Sequence, residues 1–231
     1  MLCGTGSNRV GTELEAKYRL ETQAQGQILL HLPQLGGYRL EPAAPELQHN
    51  RYYDTADGRL QQHRYGLRIR QIGAQSIVTL KGDSRSTVAG ISERVEYEVE
   101  ATQPDPHTWP ASPARTHALA LIGDAPLIEL LRISTERQHI YVWREQQRVA
   151  EISLDHGTTY AGDLHEPFDE LEIELLPDGS RADLDALIAA LAAHLPLQPE
   201  PRSKLARGLA LLAQSAQSAQ PAPTPPLPTP R

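Results

Sequence analysis

Six stretches of this chain place charged or polar side chains on every second residue. In Glu13 to Arg19 the set is Glu13, Glu15, Lys17 and Arg19, and in Gly66 to Ile72 it is Arg68 and Arg70. Ile77 to Lys81 offers Thr79 and Lys81, and Glu93 to Glu100 offers Arg94, Glu96, Glu98 and Glu100. Ala150 to Asp155 offers Glu151, Ser153 and Asp155, and Glu170 to Leu175 offers Glu170, Glu172 and Glu174. Strand side chains alternate between faces, so each stretch reads as a strand with one charged face and one apolar face. A single charged face is ordinary solvated surface. Six of them, carrying both signs and each backed by apolar residues that helices can cover, predict an antiparallel barrel. It is closed or nearly closed, with its apolar residues outward and its charges in a hydrated lumen.

The lumen's charges narrow its ligand. Arginine forks suit phosphate oxygens, and dense carboxylates suit hard cations such as Mg²⁺ or Mn²⁺. A metal-bound polyphosphate satisfies both sets. No Gly-rich loop ending in Gly-Lys-Ser/Thr occurs, which excludes a phosphate-loop nucleotide fold. A formal charge of -7 over 231 residues argues against general nucleic-acid binding. Cys3 is the sole cysteine, no apolar run reaches the length of a membrane span, and the start lacks a secretory pattern. These features read as a soluble, cytoplasmic protein with no membrane partner.

Helical spacing of apolar residues predicts helices over Thr22 to Gln34, Arg115 to Leu131, Arg181 to Leu195 and Ser203 to Gln214. Four prolines between Thr102 and Arg115 mark a connection between two halves. Residues 1–11 and the Pro-rich residues 214–231 read as disordered, leaving 12–213 as the folded domain. The nine histidines have no metal-ligand spacing, and His49, His63, His139, His156 and His165 read as surface or loop residues. Tyr52 and Tyr53 read as packing residues, and Trp109 and Trp143 are poorly placed to stack on a substrate ring.

In this order the residues resemble the CYTH superfamily, also called triphosphate tunnel metalloenzymes. Its Glu-x-Glu-x-Lys opening stands here as Glu13, Glu15 and Lys17, and its tyrosine-rich segment as Tyr52-Tyr53-Asp54-Thr55. Arg68 with Arg70, Thr79-Leu80-Lys81, Arg94 with Glu96, and Thr135-Glu136-Arg137 match its central elements. Leu154-Asp155-His156-Gly157, the Glu170, Glu172, Glu174 strand, and Ser203-Lys204 with Arg207-Gly208 match its later ones. The likeness runs from about Gly11 to Leu212 and is strongest to bacterial inorganic triphosphatases.

The resemblance implies an α+β fold: a closed eight-stranded antiparallel β-barrel, the triphosphate tunnel, with helices packed outside. It implies two bound Mg²⁺ or Mn²⁺ ions and a small-molecule triphosphate as substrate. Glu13, Glu15, Asp155, Glu170, Glu172 and Glu174 become the expected metal ligands. Lys17, Arg68, Arg70, Lys81, Arg94, Arg137 and Lys204 become the expected phosphate ligands. Glu13, Glu15, Lys17 and Lys204 form the expected catalytic set, with Glu96 and Glu98 supporting and Glu151 a weaker metal candidate. The expected reaction is hydrolysis of inorganic triphosphate to diphosphate and phosphate. Members also hydrolyse thiamine triphosphate or RNA 5′-triphosphates, or make cyclic AMP. Hydrolysis of an organic or nucleoside triphosphate, adenylate cyclase activity and a non-catalytic polyphosphate-binding module are therefore the alternatives.

Overall fold

A computed structural model describes residues 9–83, 85–88 and 90–218. Its strands, in chain order, are β1 (Arg9–Leu20), β2 (Gln34–Leu35), β3 (Tyr38–Pro42), β4 (Glu46–Thr55), β5 (Gly66–Ile72), β6 (Gln75–Lys81), β7 (Arg85–Val88), β8 (Ile91–Glu100), β9 (Leu127–Arg144), β10 (Gln147–Ala161), β11 (Leu164–Leu175) and β12 (Gln198–Pro199). Its α-helices are α1 (Gln23–Gln27), α2 (Arg59–Gln62), α3 (Pro113–Ile122), α4 (Arg181–Ala192) and α5 (Lys204–Ser218).

Eight strands run in the order β10, β11, β1, β8, β6, β5, β4, β9, and β9 pairs back with β10, so the sheet closes into a barrel. Every pairing around the ring is antiparallel. The expected eight-stranded barrel with outer helices is therefore the observed fold. Closure puts like-facing residues of adjacent strands into rows. Arg137 lies across from Asp155, Asp155 from Glu170, Lys17 from Glu172 and Glu13 from Arg94.

Two of the three apolar clusters form a shell outside the barrel, while Tyr52, Leu131, Ile133 and Ala161 share the inward parity and pack under Leu211 of α5. Leu67, Ile69, Val78, Leu80 and Val99 meet Ala114, Ala118 and Ile122 of α3. Ile140, Val142, Ile152, Leu171 and Ile173 meet Leu184, Leu187 and Leu191 of α4. Fully burying an aliphatic side chain stabilises by about 1.5–3 kcal/mol, so these outer faces hold the strands in their alternation. A register slip by one residue would turn the apolar set inward and the charges out. Ser180 caps α4 in a reciprocal box with Asp183, which also accepts from Arg144 Nη1 at 2.8 Å. α5 crosses the end of the barrel. A Cβ on Gly208 would come within 2.7 Å of a Leu131 methyl, so glycine is what lets the helix sit this close.

Several expectations are corrected. The helix predicted over Arg115 to Leu131 ends at Ile122, and Leu127 opens the long strand β9. Gly123 adopts φ +60 and breaks the helix there, and Leu127, Ile128, Leu130 and Leu131 beyond it lie in β9, which is irregular opposite Tyr52 and Tyr53. Thr22 to Gln34 is one short α-helix and a 3₁₀ turn over Ile28–His31, followed by Pro33. Residues 9–11 belong to β1, and α5 runs on to Ser218, so both ordered ends exceed the bounds read from composition. The rest of the expected disordered ends, 1–8 and 219–231, lies outside the described residues. No helix among the described residues is long and apolar enough to cross a membrane.

Candidate functional site

The barrel encloses a cavity of about 960 Å³ bordered by residues of all eight ring strands and by the first turn of α5. Its charges fall into two paired clusters and one unpaired group.

The first cluster joins β1, β6 and β8. Arg94 Nε donates to Glu13 at 2.9 Å and its Nη2 to Glu15 at 2.5 Å. Lys81 lies 3.1 Å from Glu13 and also contacts Glu96. Ser92 Oγ donates to Glu15 at 3.1 Å, and Lys17 Nζ lies 3.7 Å from the same carboxylate. Burial pushes Glu13 up, but Lys81 and Arg94 more than offset it and hold it well below the usual carboxylate range. Burial raises Glu96 to about 7 despite Lys81. Glu174 is raised furthest, to about 8, by burial and then by the charge of Glu13. No ion pair to Glu174 occurs among the described residues.

The second cluster joins β9, β10, β11 and α5. Arg137 forks onto Asp155 and reaches Glu172 at 2.7 Å. Lys204 Nζ, delivered by the first turn of α5, lies 2.7 Å from Glu170, 2.7 Å from Glu172 and 2.9 Å from Asp155. Arg207 also contacts Glu170. Burial raises Glu172, yet Lys204 and Arg137 pull it well below its ordinary value. The same two cations lower Asp155 against its burial, whereas burial leaves Glu170 raised.

Arg68 and Arg70 differ from the other lumen cations. Both project from β5 into the cavity, and neither pairs with a carboxylate among the described residues. Arg68 donates to Thr79 Oγ1 at 3.3 Å, and its Nε is buried without a partner. Burial, then the neighbouring Arg68 and Arg137 guanidiniums, lower Arg70 to about 10. Two neighbouring guanidiniums with no direct ion pair among the described residues have the donor chemistry that suits an anion.

The acidic residues also fit a cation. Carboxylate oxygens of Asp155, Glu170 and Glu172 lie within 4.8 Å of one another. Three hard oxygen donors at that spacing match the chemistry of Mg²⁺ or Mn²⁺. Glu13 and Glu15 stand apart from this trio, against Lys81 and Arg94.

Of the expected site residues, Glu170 and Glu151 do not border the cavity. Glu170 is fully buried beneath Lys204 and Arg207, and Glu151 accepts from or donates to His139 Nδ1 at 2.5 Å, depending on their protonation. His139 is not a surface residue. It shares the inward parity of Arg137 two positions earlier and spans Glu151 and Glu46, its Nε2 lying 3.1 Å from the latter. Burial lowers His139, but Glu151 and Glu46 leave it raised overall. Glu98 lies beside Thr79, and Glu96 beside Lys81. Trp109 is buried in the outer core and donates to Gln103 O at 2.8 Å, while Trp143 is flanked by Arg39 and Arg148. Sequence reasoning missed the neutral wall of Gln48, Asn50 and Thr135, which borders the cavity. The alternation of Glu46, Gln48, Asn50 and Tyr52 in β4 carries that signal, but without a row of charges it reads like any strand. Arg207, part of the closing motif, was given no role there; one helical turn after Lys204, it contacts Glu170 behind the cavity wall.

Comparison with known proteins follows the same lines. The model of the CYTH domain matches residues 11–209. An inorganic triphosphatase of Haemophilus influenzae is 30% identical over 164 residues, which is 70% of this chain and 45% of that protein. The chain thus spans under half the length of this curated relative. Among solved structures, a Hippeastrum protein assigned as an adenylyl cyclase and described with a dominant triphosphatase activity superposes with TM-score 0.61. It is 21% identical, over 86% of this chain and 95% of that one. A Bacillus halodurans protein assigned as an adenylate cyclase gives TM-score 0.58 at 21% identity, over 86% of this chain and 97% of that one.

Proposed function

This chain belongs to the CYTH domain family, and on that premise we propose that it hydrolyses inorganic triphosphate to diphosphate and phosphate with the help of a divalent metal. The observation that carries this reading is the pair Arg68 and Arg70, two lumen guanidiniums without carboxylate partners among the described residues. Their planar donor forks suit tetrahedral phosphate oxygens. Lys17, Lys81, Arg94, Arg137 and Lys204 surround the same lumen from other strands and from α5. Together they can engage all three phosphates and offset the charge that builds on the leaving diphosphate.

Asp155, Glu170 and Glu172 would hold one Mg²⁺ or Mn²⁺ ion, and Glu13, Glu15 and Glu174 are the proposed ligands of a second. When bound, such ions supply Lewis acidity toward a phosphoryl oxygen and acidify a coordinated water. The chain's own part is to fix the substrate in line and keep the site enclosed. The outer strands' helices hold the lumen walls, and α5 brings Lys204 across one end.

Phosphate release from inorganic triphosphate, ATP, thiamine triphosphate and diphosphate, at one Mg²⁺ or Mn²⁺ concentration, tests the reading. The expected result is a higher kcat/KM for inorganic triphosphate than for ATP, with diphosphate a poor substrate. Equal or better use of ATP or thiamine triphosphate would assign an organic triphosphatase instead. Cyclic AMP from ATP would assign a cyclase, and binding without phosphate release a polyphosphate-binding module.

A further inference from the structure

Arginines in this tunnel are held in two ways. Arg94 and Arg137 are clamped by carboxylates, Glu13 and Glu15 for one, Asp155 and Glu172 for the other. Arg68 and Arg70 are held by neutral oxygens. Asn50 of β4 lies directly across from Arg70 of β5, and its Oδ1 accepts from Arg70 Nε at 3.1 Å. A guanidinium has no acceptor, so only the oxygen end of the amide can face it. The amide nitrogen is thereby turned toward the carbonyl of Ile133 on β9, at 3.5 Å. Asn50 is 5% exposed and stands in the cavity wall. Thr79 Oγ1 plays the same neutral part for Arg68.

The choice of an amide here has a chemical consequence. Aspartate has nearly the same size and shape and would bind Arg70 more strongly through a charge-assisted bond. It would also supply the counter-charge that an incoming anion otherwise provides. We infer that Asn50 is a positioning residue for the substrate anion, fixing Arg70 through a neutral acceptor so that its positive charge and remaining N–H donors are left to the phosphates. This rests on reading the tunnel as a triphosphate site, and it assigns affinity for the anion to a residue that does not carry charge.

The test compares wild type, Asn50→Asp and Asn50→Ala in steady-state hydrolysis of inorganic triphosphate with Mg²⁺, alongside melting of the metal-free proteins. Asn50→Asp should lower kcat/KM by about tenfold to a hundredfold, with a raised KM carrying the greater part, while melting at or above the wild type. Asn50→Ala keeps the charge of Arg70 but loses its tether. It should give a smaller rise in KM and melt below the wild type. The two orders run in opposite directions, which a purely structural role for Asn50 does not produce. An unchanged KM in Asn50→Asp, or an Asn50→Asp protein that melts below wild type or fails to fold, overturns the inference. A wild-type protein inactive on inorganic triphosphate instead overturns the triphosphate reading beneath it.

Discussion

Arg137 grips both oxygens of Asp155, with Nε 2.7 Å from one and Nη2 2.6 Å from the other. The same Nη2 reaches Glu172, and Lys204 spans Asp155, Glu170 and Glu172. Without a metal, the carboxylates proposed to hold one are thus neutralised by the chain's own cations. A divalent ion would take over that neutralisation and leave Arg137 and Lys204 to face phosphate.

Replacing Arg137 should therefore separate stability from metal affinity. Arg137→Gln leaves Asp155 and Glu172 buried with Lys204 as their remaining direct ion-pair partner among the described residues, and breaking a buried pair of this kind costs about 3–5 kcal/mol. The metal-free variant should melt well below wild type, and Mn²⁺ should raise its melting temperature by more than it raises that of wild type. Equal Mn²⁺-induced shifts would show that Arg137 does not compete with the ion.

Metal removal gives a second test. The cation pairs described above keep the barrel neutralised, so a chelator should abolish phosphate release while the protein still melts cooperatively. Adding back Mg²⁺ or Mn²⁺ should restore turnover. Full activity of a metal-stripped sample in excess chelator would rule out metal-dependent hydrolysis.

Glu174 predicts a pH dependence of the metal-free fold. Its folded value of about 8 lies above that of an exposed glutamate, about 4.3 in an unfolded chain. The uncharged form is favoured by the fold, so this contribution is fully present below about pH 4 and is lost as pH rises toward 8. Glu96, at about 7, acts in the same direction. Glu13, Asp155 and Glu172 are shifted downward and act at the acid end, below this window. Glu174→Gln should flatten the decline and stabilise the protein at pH 8 by on the order of a few kcal/mol. Melting curves in chelator between pH 5 and 8 decide this, and a wild type as stable at 8 as at 5 would contradict it.

The end of α5 sets where the chain can be cut. Ser215 Oγ accepts from Asp163 N at 3.2 Å, tying the last turns of α5 to the β10–β11 turn. Truncation after Ser218 should leave folding and turnover intact. Truncation after Ala213 should lower the melting temperature, because that tie is lost. A large fall in kcat for the longer truncated protein would instead give residues 219–231 a part in catalysis.

Much of the site was legible in the sequence because strand alternation is local. The parity of Glu13, Glu15 and Lys17, or of Arg68 and Arg70, follows from the two-residue repeat of an extended chain, whatever that chain pairs with. Alternation also placed the apolar partners of these residues under helices. It failed where the inward residues are neutral, as at Gln48 and Asn50, or where a histidine sits in a charged row, as at His139. It failed again after Gly123, where apolar residues fit a helical stripe and a strand equally well.

Which charges meet was decided by tertiary structure alone. Arg137 lies eighteen residues from Asp155 and thirty-five from Glu172 along the chain, and only the β9–β10–β11 register puts the three together. Lys204 reaches them because α5 packs across the barrel end, with Gly208 against Leu131. The sequence by itself determined that charged faces would line a lumen, since burial of the alternate apolar residues leaves them no other side. Barrel closure determined that Arg94 and Arg137 are neutralised while Arg68 and Arg70 are not, because a side chain's partner depends on the neighbouring strand and its register, which local periodicity does not encode.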